Sequence, residues 1–173
     1  MADFDQRPLV LTAELDDETF DWLDSLRRRH FPPERNHLAA HLTLFHALPG
    51  DQLDRIAADL SDVTAVAPAI AGTAARWMSL GRGVAMGIEA PGLLALRGEL
   101  VRRLADVLTR QDAGGFKPHV TVQNKVTSGQ ARELMTWLGA DHAPRPIRIP
   151  ALRLWRYDGG PWQFERRFTL GKS

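Results

Sequence analysis

Two short stretches carry the residues best suited to chemistry in this chain. His41-Leu42-Thr43-Leu44 and His119-Val120-Thr121-Val122 each place a histidine and a threonine two positions apart. On a strand, alternate side chains share a face, so each histidine points the same way as its threonine. Leu42, Leu44, Val120 and Val122 then point the other way, toward a core. Imidazole has an unperturbed pKa of about 6.5, so near neutral pH one ring of a pair can be neutral and the other protonated. Two imidazoles and two hydroxyls in one cleft suit acid–base chemistry on a phosphate ester. One ring takes a proton, the other gives one, and the hydroxyls donate to the non-bridging oxygens as charge builds. A single His-x-Thr is commonplace. Two copies with apolar residues at the same alternate positions carry far more weight.

These stretches need a frame. Residues 9–15 read as a strand, and Asp16 and Asp17 suit the start of a helix that carries Phe20, Leu23 and Leu26 to about residue 29. Phe31-Pro32-Pro33 stops it, and a loop over 34–40 leads to the first His strand, 41 to about 47. Pro49-Gly50 is a turn, and Asp51 opens a helix with Leu53, Ile56, Ala57 and Leu60 on one face. A strand over 68–80 turns at Gly81-Arg82-Gly83 into a hairpin partner over 84–89. Pro91 suits the first turn of a helix striped by Leu93, Leu96, Leu100, Leu104 and Val107, which is expected to run until Asp112-Ala113-Gly114-Gly115. The second His strand follows. Thr127 and Gln130 make a capping box for a helix bearing Ala131, Leu134, Met135 and Leu138. One strand over 148–157 and another over 162–170 close the chain, with Asp158-Gly159-Gly160 between them.

Strand, helix, His strand, helix, strand occurs twice, over 9–80 and again over 84–157. The expectation is an α+β fold made of a single bilobal domain over 1–173. Its two pseudo-symmetric lobes share strands, and antiparallel-rich sheets line a central groove with helices packed outside.

The motif pair His41-Leu42-Thr43-Leu44 and Pro118-His119-Val120-Thr121-Val122 resembles the two signatures of the 2H phosphoesterase superfamily. Within it, the chain resembles the bacterial RNA 2′,3′-cyclic phosphodiesterases, also called 2′-5′ RNA ligases, over nearly its whole length. The resemblance implies His41, Thr43, His119 and Thr121 as catalytic residues and no metal or other cofactor. It implies hydrolysis of a 2′,3′-cyclic phosphate, on a nucleotide or an RNA 3′ end, to a 2′-phosphomonoester, with weak reverse joining. Two positions depart from the family pattern. Gln123 stands where relatives often carry an arginine, and Trp162 or Phe164 where they often carry a tyrosine. Spacing leaves open which histidine is base and which is acid. The alternative reading is a module that binds nucleotides or RNA ends on the same fold without significant catalysis.

Substrate contacts are expected from Arg153, Trp155 and Tyr157, which alternate on one strand face and can bind phosphate and stack a base. Lys125 and Phe45 join them as candidates, and Lys117 and Arg76 are plausible neighbours of a phosphate. Gly114-Gly115 lacks a following P-loop pattern and reads as loop closure. His30, His37 and His46 lack the spacing and the carboxylate or cysteine company of a zinc site, and His142 is given no role.

Composition agrees with this. The 173 residues are 44% hydrophobic and 25% charged, with a formal net charge of +1 and no cysteine. A protein that coats DNA is disfavoured, and disulfide, thiolate-metal and cysteine-nucleophile chemistry are excluded. Acidic residues near the N-terminus do not resemble a signal peptide, and no apolar run is long enough to span a membrane. A cytoplasmic monomer is the expectation.

Overall fold

The structure, a computed structural model, describes residues 4–172. Met1–Asp3, part of the N-terminus read above as unlike a signal peptide, and Ser173 lie outside the described residues.

Two four-stranded sheets and five helices make the fold. In chain order these are β1 (Leu9–Glu14), α1 (Asp17–His30), β2 (Leu42–Leu48), α2 (Leu53–Val66), β3 (Ile70–Ser79) and β4 (Val84–Glu89). There follow α3 (Pro91–Leu104), the short α4 (Arg110–Ala113), β5 (His119–Gln123), α5 (Ser128–Gly139), β6 (Arg145–Ile149), β7 (Ala151–Arg156) and β8 (Gln163–Thr169). The first sheet has the order β2-β1-β7-β8 and the second β5-β4-β3-β6. All pairings are antiparallel.

Local chemistry explains the boundaries. Asp16 caps α1, accepting from the Thr19 backbone N–H at 2.9 Å and the Thr19 hydroxyl at 2.8 Å. Arg27, Arg28, Arg29 and His30 fill its last turn, where the dipole favours cations. Pro91 starts α3, and the reciprocal Thr127–Gln130 box starts α5 as its sequence implies.

Two expectations are corrected. The strand expected over 148–157 is two strands in different sheets. β6 pairs with β3 and β7 with β1, and Pro150, which has no N–H to give a ladder, stands at the crossing. The stripe after Pro91 does not run on to Asp112. α3 ends at Leu104, and α4 is a separate turn, with the Thr109 hydroxyl accepting from the Asp112 N–H at 3.2 Å.

Each repeat unit donates its last strand to the other. β3 joins the sheet of β4 and β5, while β7 joins the sheet of β1 and β2. β2 and β5, an edge strand from each sheet, meet at the centre of the molecule. One hydrophobic cluster runs through both sheets, including Leu11, Leu42, Leu44, Met86, Val120 and Val122.

Candidate active site

Each histidine stands at the start of an edge strand, His41 just before β2 and His119 as the first residue of β5. Leu42, Leu44, Val120 and Val122 are buried on the far side, as alternation requires. The near sides converge. His41, Thr43, His119 and Thr121 line one cleft of about 740 Å3 together with His46, Phe116, Lys117 and Trp162.

The two rings are held alike. Nδ1 of His41 lies 2.8 Å from the carbonyl oxygen of Ala39, and Nδ1 of His119 lies 2.8 Å from that of Lys117. A carbonyl only accepts, so each Nδ1 carries the proton and donates it. This leaves Nε2 of each ring as the nitrogen that can take up or release a proton. Burial pushes the pKa of His41 down to about 4, aided by the positive charge of Arg27 and of the neighbouring histidines and opposed by the Ala39 hydrogen bond.

Residues not singled out by sequence reasoning hold the two motifs in place. Arg97 of α3 is buried, its guanidinium 4.9 Å from the ring centre of Phe45 and 4.6 Å from that of Phe116. It donates to the carbonyls of Leu44 at 3.1 Å, Asp112 at 2.7 Å and Gly114 at 3.4 Å. It therefore ties the first motif to the loop that enters the second. Asp112, also buried, accepts from the backbone N–H groups of His46 at 2.8 Å and Ala47 at 2.9 Å. Burial works against its ionisation, but these bonds and that to the His46 ring outweigh it and keep its pKa low. Arg27 of α1 is buried over the ring of Phe31, and it donates to Asn36 Oδ1 at 2.8 Å and to the Thr121 carbonyl at 3.0 Å. A signal existed for both arginines. Arg97 falls on the Leu93–Leu100–Leu104 face and Arg27 on the Phe20–Leu23 face, where a cation is out of place unless it has a task.

The expected substrate contacts divide. Arg153 and Trp155 line a second pocket beside the cleft. Arg153 donates through Nε to Glu14 at 2.9 Å, a bond that leaves Nη1 and Nη2 as further donors. Tyr157 lies beyond the end of β7, exposed, and lines neither cavity. Lys125 is exposed in the turn after β5, with a φ of 62°, and lines neither. Phe45 cannot touch substrate, since it is 0% exposed. The reason is a bulge. Leu11 pairs with Phe45 and Thr12 with Thr43, so Leu44 is extra, and Phe45 turns off the Thr43 face into the core. Lys117 does line the cleft, whereas Arg76 is exposed and paired with Glu89. Gln123 is buried, and its Oε1 has no partner among the described residues. His30 packs on Trp137, and His142 Nε2 lies 3.0 Å from the Ala75 carbonyl oxygen. No group of three or more His, Asp or Glu side chains among the described residues is arranged to hold a metal ion.

A family model described as the 2′-5′ RNA ligase superfamily matches residues 15–161. Comparison with curated proteins gives no match. Among solved structures, the chain is similar to E. coli LigT complexed with 3′-AMP, at 17% identity and a TM-score of 0.66, covering 97% of this chain and 100% of that one. It is similar to a structure described as a phosphoesterase, at 18% identity and a TM-score of 0.66, with the same coverage. It is also similar to a protein of Thermus thermophilus, TT0787, at 18% identity and a TM-score of 0.63, covering 96% and 99%. These likenesses show the fold.

Proposed function

The chain belongs to the 2′-5′ RNA ligase superfamily, and from that premise we propose that it hydrolyses a 2′,3′-cyclic phosphate, on a nucleotide or an RNA 3′ end, to a 2′-phosphomonoester by two-histidine acid–base catalysis. The observation that carries this is the matched pair of motifs on one cleft, each imidazole anchored through Nδ1 to the carbonyl two residues before it. The phosphate sits between the rings. Nε2 of one imidazole takes the proton of the attacking water as its oxygen bonds to phosphorus. Nε2 of the other gives a proton to the departing ribose oxygen, and the roles exchange in the joining direction. The hydroxyls of Thr43 and Thr121 donate to the non-bridging oxygens as charge accumulates. Lys117 adds positive charge to the same wall. The proton transfers need no metal, and a nucleotide substrate agrees with E. coli LigT having been solved with 3′-AMP.

A second reading, a nucleotide-binding module without significant catalysis, is favoured by one observation. Gln123 stands buried where relatives often place an arginine. One assay separates the two. The four nucleoside 2′,3′-cyclic monophosphates, and an RNA ending in a cyclic phosphate, are offered with EDTA present, and products are read by phosphorus NMR. A 2′-phosphate product is expected. His41→Ala and His119→Ala should each lower turnover about 10²- to 10⁴-fold while the fold survives. Full activity in either variant would overturn the proposal, and tight binding without product would favour the module.

A further inference from the structure

We propose that His46 is a third functional histidine of the cleft: held from behind by Asp112, its Nε2–H donates a hydrogen bond to a non-bridging oxygen of the bound phosphate. The inference deepens the proposed function and rests on it for the position of the phosphate.

A bulge brings His46 to the cleft. Leu44 and Phe45 turn inward in succession, 1% and 0% exposed, so the chain returns to the face of His41 and Thr43 at position 46. There the ring lines the same cleft as both motifs. The second motif carries a matching bulge. Ala85 pairs with Thr121 and Val84 with Gln123, and Val122 and Gln123 are both buried. Position 124 is thus the counterpart of 46, but it is an asparagine and does not line the cleft. The third imidazole belongs to one side only.

The ring has a support of its own. Asp112 Oδ1 lies 3.2 Å from His46 Nδ1, and the same oxygen accepts the His46 backbone N–H at 2.8 Å. A carboxylate only accepts, so Nδ1 carries the proton and Nε2 is the nitrogen left to the cleft. The carboxylate side chain is 1% exposed and the imidazole 53%. A buried anion behind an open imidazole favours the charged ring, and an anion arriving in front favours it further. Among the described residues no carboxylate lines the cleft, so none competes there with a phosphate. The other titratable groups facing that space are His41, His119 and Lys117. After burial, the charges of Arg27, His119 and His46 are what pull the His41 pKa down. The three rings therefore share one field, which an anion among them relieves.

The reaction calls for such a donor. As the oxygen of water bonds to phosphorus and the base keeps the proton, negative charge grows on the non-bridging oxygens. A fixed N–H aimed at that charge stabilises the transition state more than the ground state. His46 meets the charge and transfers no proton, which leaves the acid and base roles with His41 and His119.

The test reads the ring and the binding apart from turnover. Nitrogen NMR of the histidine rings should show His46 with its proton on Nδ1 in the free protein, and inorganic phosphate should move it toward the doubly protonated form. Isothermal titration with inorganic phosphate and with adenosine 2′-monophosphate should show binding weakened about 10- to 150-fold in His46→Ala. In the same variant kcat/KM for a nucleoside 2′,3′-cyclic monophosphate should fall about 10²- to 10³-fold, with both limbs of the pH–rate profile retained. Asp112→Asn should release the His46 ring to the Nε2–H tautomer, a signature that a merely structural role of Asp112 does not produce. If Asp112→Asn fails to fold by circular dichroism, His46→Ala, at a half-exposed side chain, carries the test. A His46 ring indifferent to phosphate, or wild-type phosphate affinity in His46→Ala, overturns the proposal. So does loss of one limb of the pH–rate profile in His46→Ala, which would make His46 the acid or the base. The ring shift and the weakened binding in a protein that hydrolyses no cyclic phosphate would instead sink the proposed reaction and leave the contact standing.

Discussion

His41 and His119 share a tautomer but not an environment. Burial keeps His41 neutral until the pH falls to about 4, so in the free protein it does not carry the charge that an acid needs. A bound phosphate brings the missing partner, since a nearby anion favours the charged imidazole. The expected outcome is that inorganic phosphate raises the His41 pKa in a ring-proton NMR titration; an unchanged value would count against a phosphate seat at this ring. The same shift sets a slope in stability. Between about 6.5 and about 4 the unfolded chain binds a proton at this histidine and the native protein does not, so stability declines as pH falls through that window. Urea midpoints measured at pH 6.5 and 4.5 should differ less in His41→Gln than in the wild type. Residue types and spacing were enough to put both histidines and both threonines on one cleft. They were not enough for Phe45, because period-two alternation puts it with Thr43 and only the pairing with β1 exposes the bulge that turns it inward.

The elements that place the four motif side chains on one cleft are β2, β5 and the braces between them. Asp112, on the four-residue α4, satisfies two backbone N–H groups at the end of β2. Asp112→Ala leaves both without that acceptor and should cost about 2 kcal/mol or more of stability, read by urea denaturation. It should also lower kcat/KM, because His46 and the loop carrying Phe116 and Lys117 line the cleft. A variant with unchanged stability and activity would remove Asp112 from the support of the site. The α3 stripe was legible as a helix, but its end was not. Val107 continues the apolar period past Leu104, yet the chain leaves the helix there to form the Thr109-capped turn. Periodicity measures which positions can be buried on one face, and it is silent on where the chain finds a better partner.

Across the whole molecule, the exchange of β3 and β7 means that neither repeat unit completes a sheet alone. Unfolding by urea should therefore be a single transition, with tryptophan fluorescence and far-ultraviolet circular dichroism giving the same midpoint. A fragment of residues 1–82 should not acquire native structure, since its β3 lacks both β4 and β6. Separated transitions or a folded fragment would show the halves to be independent. No helix among the described residues is long and apolar enough to cross a membrane. The sequence by itself determined the two motifs, the helices between them and the repeated pattern, because these rest on neighbours close along the chain: alternation, caps and the helical period. Only the tertiary structure decided which sheet each strand joins, that Arg97 and Arg27 brace the cleft, that Glu14 pairs with Arg153 and Arg167, and that an aromatic pocket opens beside His41. Those are contacts between residues far apart in the chain, and no local pattern records which distant partner a buried charge or a strand edge will meet.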